Sequence, residues 1–122
     1  MKENTMKFDE TNSFDFGLGL VPAHQHLNGH GWIANTASVD HDTFIGKNAK
    51  VYDYARVSGD AAVTGDASVS GDARVYGNSW VTGEAKVYGN AKVYGNAIVT
   101  GNAKVSGNVS ISGDVVVSDN VY

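Results

Sequence analysis

Cysteine is absent from the 122 residues, and proline occurs once, at Pro22. Without thiols there is no disulfide, no thiolate metal site and no cysteine nucleophile. A single proline excludes a proline-rich linker, and 15 glycines without a G-X-Y period exclude collagen. Charge is sparse: Lys and Arg total 9, Asp and Glu 13, and the net charge is −4. That balance excludes a strongly basic binder of duplex nucleic acid. No apolar run approaches the ~18–20 residues that cross a bilayer. The opening MKENTMKFDETNS has no apolar h-region and does not read as a signal peptide. The expectation is one cytoplasmic domain with no membrane contact and no cofactor.

What the sequence does have is a repeat. An aliphatic residue falls at every sixth position from Ile33 through Val51, Val75 and Val99 to Val117. Two residues earlier stands a small residue, as at Ala49, Ala73, Ser79 and Ala97. Two residues later stands glycine, without a break from Gly59 to Gly113, followed each time by Asp, Asn or Glu. Within the unit A-x-V-x-G-[DN], Ala and Val alternate with variable residues, so they share one side of a short strand. Gly-Asp and Gly-Asn are turn pairs. Such short strands would leave a hairpin meander little to pair. A chain that bends the same way every six residues closes a coil in three bends, or 18 residues. Successive coils then stack as parallel strands about 4.8 Å apart. Residues 31–122 make about five coils with valine inside, and residues 1–30 form an irregular N-terminal cap.

This unit resembles the hexapeptide repeat of left-handed parallel β-helix proteins over residues 31–122. The left hand is implied by the resemblance alone, since crossover connections ordinarily run right-handed. Glycine two residues after the aliphatic position, not one, departs from the commonest family form. The segment NGHGWIANTASV, residues 28–39, resembles the leader of phage- and prophage-encoded members.

An 18-residue period sorts the outward side chains onto three faces. The first carries Trp32, Lys50, Ser68, Lys86 and Lys104, with Tyr52 and Tyr88. The second carries Ser38, Arg56, Arg74, Lys92 and Ser110, with Tyr76 and Tyr94. The third carries Phe44, Ala62, Trp80, Ile98 and Val116, with Thr64, Thr82 and Thr100. The third face has no charge in either column, which marks it as an oligomer interface or as a surface that residues 1–30 cover. The resemblance implies a homotrimer. Arg56, Arg74 and Lys92 beside Tyr76 and Tyr94 are candidates to bind an anion such as a nucleotide; the alternative is a solvated face balanced by corner carboxylates. At the ends, Phe8, Phe14, Phe16, Leu18, Leu20 and Val21 are expected to fold over the first coil. Val109, Val115 and Val121, in the small column, are expected to plug the last.

Two enzyme families resemble this repeat, hexapeptide acyltransferases and γ-class carbonic anhydrases, and both need histidines among the coils. Here His24, His26, His30 and His41 all precede the second coil, and no cofactor loop interrupts the period. The reading is therefore a non-catalytic, metal-free oligomeric binding protein of phage or prophage type, engaging a host protein or a small anion. The alternative is a structural or self-assembling module of a fibre or scaffold; an acyltransferase-like enzyme comes third.

Overall fold

A computed structural model describes residues 12–122. From Trp32 onward a strand of two or three residues begins every six positions, and parallel pairing joins residues one coil apart. The first face is built from Trp32–Ala34, Lys50–Val51, Ser68–Val69, Lys86–Val87 and Lys104–Val105. The second is Ser38–Val39, Arg56–Val57, Arg74–Val75, Lys92–Val93 and Ser110–Ile111. The third is Phe44–Ile45, Ala62–Val63, Trp80–Val81, Ile98–Val99 and Val116–Val117. The fold is an all-β parallel solenoid of about five turns, with the registers that an 18-residue period requires.

The interior follows from the two inward columns. Valines from Val51 to Val105 and alanines from Ala49 to Ala103 are 0–2% exposed. Each buried valine contributes roughly 1.5–3 kcal/mol relative to an exposed one. Thr43 and Ser79 stand in the alanine column and are also fully buried. Their hydroxyls avoid an unmet burial cost because each donates to a carbonyl, Thr43 to Gly59 at 2.9 Å and Ser79 to Tyr76 at 2.8 Å. Between coils the backbone forms a continuous ladder, as in Arg74 N to Ala91 O (3.0 Å) and Tyr76 N to Val93 O (2.9 Å).

The corners explain the glycine column. In Thr82–Gly83–Glu84–Ala85 the Ala85 amide donates to the Thr82 carbonyl at 3.2 Å, and Gly83 has φ +66°. Positive φ at the first central residue alone is the signature of a type II′ turn, where glycine is favoured. A Cβ on Gly83 would also lie 2.9 Å from both the N and the O of Gly101 in the next coil. At Gly113 φ is +83° but nothing lies within 4 Å. Gly113→Ala should cost about 1–3 kcal/mol from φ alone. Gly83→Ala should cost clearly more, because only backbone could yield. Urea unfolding of the two variants checks the order.

The N-terminal segment closes the first coil by two routes. Strand β1 (Ser13–Asp15) pairs antiparallel with β2 (Leu20–Gln25), which pairs antiparallel with β3 (Trp32–Ala34). Phe14 stacks on Trp32 with ring centroids 4.8 Å apart, and Phe16 on Tyr52 at 4.9 Å. The loop after β2 meets the edge of the third face: Ile45 N donates to Asn28 O (3.0 Å) and Gly31 N to Ile45 O (2.9 Å). The described part of the cap therefore overlies the first face and the top of the coil, and on the third face it abuts Phe44 at the head of the apolar column, where Gly29 lies against the ring. Phe8 lies outside the described residues. At the far end one expectation fails. Val109 and Val121 pack against the core, but Val115 is 44% exposed.

Candidate functional site

The third face is the most distinctive surface. Alternation about the buried valines turns Phe44, Ala62, Trp80, Ile98 and Val116 outward, and parallel register stacks them in that order. Phe44 is 40% exposed, Trp80 51% and Val116 64%, while Ala62 and Ile98 are half-buried. The second column is small and hydroxylic, and Thr82 donates to Thr100 at 3.1 Å. Gly46 occupies the first place in that column, and a Cβ there would sit 3.6 Å from the Phe44 ring. Large apolar groups in line on a sheet face with no charge form a patch of the kind that partners cover.

This face is not uniform. Ala62 stands between Phe44 and Trp80, so a notch of about 370 Å³ opens at its level. Its walls are Phe44 and Trp80, its floor Ala61, Ala62 and Thr64, and its rim Asp42 and Asp60. Sequence reading missed the notch. The available signal was two successive aspartates, Asp42 and Asp60, in one corner column beside an alanine flanked by aromatics.

On the second face Arg56, Arg74 and Lys92 are in register and exposed. Tyr76 and Tyr94 stack on each other at 4.9 Å with planes 3° apart. That contact uses one face of each ring and leaves a planar ligand only the outer faces. On the first face Lys86 and Lys104 line a shallow hollow with Asp66, Glu84 and Asn102, so those cations have carboxylates for neighbours.

The histidines are engaged in the cap. His26 is buried, and its Nε2 donates to the Thr43 carbonyl at 2.8 Å; His24 Nδ1 lies 2.7 Å from Asn35 Oδ1. Among the described residues no group of three or more His, Cys, Asp or Glu is placed to hold a metal ion. No helix among them is long and apolar enough to cross a membrane.

The coil geometry has a counterpart among known proteins. The repeat is similar to the YdcK beta solenoid repeat. Three segments match, 55–71, 67–83 and 91–107, each running from a buried alanine to a corner glycine and spanning nearly one coil. No curated protein and no solved structure matches the chain.

Proposed function

We propose that the protein is a non-catalytic, self-associating binding protein whose third face is buried against other copies of the chain. The half-exposed Trp80, stacked between Ala62 and Ile98 in an uncharged column, carries this reading. The resemblance to hexapeptide-repeat proteins supports a homotrimer, and that of residues 28–39 to phage and prophage members supports a host protein as the further partner. Large side chains at an interface centre typically contribute ~2 kcal/mol or more each. Sedimentation equilibrium should therefore give three times the 12.8 kDa chain mass for the wild type. Trp80→Asp and Ile98→Asp should give one chain mass with unchanged circular dichroism. A wild type that stays monomeric would end the proposal.

A second reading rests on the cation column of the second face. A small anion such as a nucleotide would bridge Arg56, Arg74 and Lys92 and stack on the outer face of Tyr76 or Tyr94. Charge pairing at an exposed site weakens with salt. Calorimetry against nucleotides should show salt-sensitive heat that Arg74→Ala abolishes; no heat at low salt would exclude this ligand.

A further inference from the structure

The Ala62 notch asks for a cation. Two aromatic walls, Phe44 and Trp80, belong to strands two coil steps apart, about 9.6 Å by strand spacing. That leaves room for one flat cation between the rings, within the roughly 6 Å at which a ring still attracts it. Two carboxylates, Asp42 and Asp60, stand at the rim, and among the described residues neither is held by a hydrogen bond or ion pair. Aromatic faces and carboxylates together select positive charge, and a planar guanidinium suits both. No cation lines the notch. Both outward columns of the third face are uncharged, so a third face laid against another third face would leave the notch without one. The chain has two arginines, Arg56 and Arg74, both exposed on the second face and, among the described residues, without an ion-pair partner.

We infer that the notch receives the Arg56 guanidinium of a neighbouring copy, so that the contact joins the third face of one chain to the second face of the next. This rests on the self-association proposed above and sets its symmetry. A contact between two different faces is heterologous and forms a ring when its rotation closes, as in a trimer, whereas a face packed on itself makes a two-fold dimer. Arg56 is chosen over Arg74 by height. Arg56 and Ala62 belong to the same coil, and rotation about an axis parallel to the long axis of the solenoid keeps every coil at its own level.

Charge reversal tests the assignment. Arg56→Asp and Asp60→Arg should each raise the concentration needed for assembly by about tenfold or more, since each places like charges together. The double variant Arg56→Asp, Asp60→Arg should restore it. Arg56→Gln, which removes the charge without reversing it, covers the case in which Arg56→Asp does not fold, and should also weaken assembly. Light scattering reads all four. If the wild type assembles and Trp80→Asp disperses it, but the charge variants keep the wild-type mass, the arginine assignment is overturned and the third-face interface stands. A monomeric wild type overturns both.

Discussion

Val75→Asp should not fold. Val75 is completely buried, packed between Val57 and Val93 in the coils on either side. The neighbouring backbone amides are already spent on the inter-coil ladder, so a carboxyl group there finds no donor. Burying such a group without a partner costs several kcal/mol. A domain of this size holds only about 5–15 kcal/mol in total. Stacking makes the loss spread, because each coil depends on its neighbours. The expected product is insoluble, or soluble without the β-type circular dichroism of the wild type. Val75→Ile, an added methylene, should cost only about 1–3 kcal/mol and keep a cooperative melt. An aspartate variant that melts cooperatively near the wild-type temperature would refute the packed-valine interior.

Deleting residues 1–30 should convert the protein into aggregates or end-to-end polymers. The deletion removes β2 from the edge of β3 and takes away the Asn28 carbonyl that accepts from Ile45. It also removes Ala23, 1% exposed, and the buried His26 that donates to Thr43. What is left is a fresh parallel edge with free donors and acceptors above an uncovered core, a template for another chain. The aromatic pairs Phe14–Trp32 and Phe16–Tyr52 clamp the same segment, so Phe14→Ala should lower the melting temperature without polymerising the protein. A soluble, monodisperse truncation with an unchanged melt would mean that the coils need no cap.

The coil was legible in the sequence because each of its determinants is local. Val75 must face inward wherever Ala73 does, and Gly77 must turn the chain two residues later, so six residues carry the rule and repetition supplies the rest. The faces were legible for the same reason: once the period is 18, Trp80 can stack only on Ala62 and Ile98. What escaped was non-periodic. Nothing in residues 12–30 predicts that Phe14 lies on Trp32 across a hairpin, because that contact depends on the curl of a loop. The notch escaped because it arises from three neighbouring coils, with Asp42 and Asp60 added at a corner that a column-by-column reading keeps apart from the face. Tyr76 and Tyr94 were legible as neighbours, but their mutual stacking takes up one face of each ring.

The third-face account is tested most directly at Trp80 itself. In a Trp32→Phe variant Trp80 is the sole tryptophan, so its fluorescence reports on that face alone. Acrylamide quenching would be measured across a dilution series with mass followed by light scattering. Trp80 should be shielded and blue-shifted where the mass corresponds to three chains, and should become open to acrylamide as the assembly dissociates. In the same background, Ile98→Asp should leave Trp80 open at every concentration. Trp80 emission and quenching that stay the same through a change in mass would place the interface on another face and contradict the account.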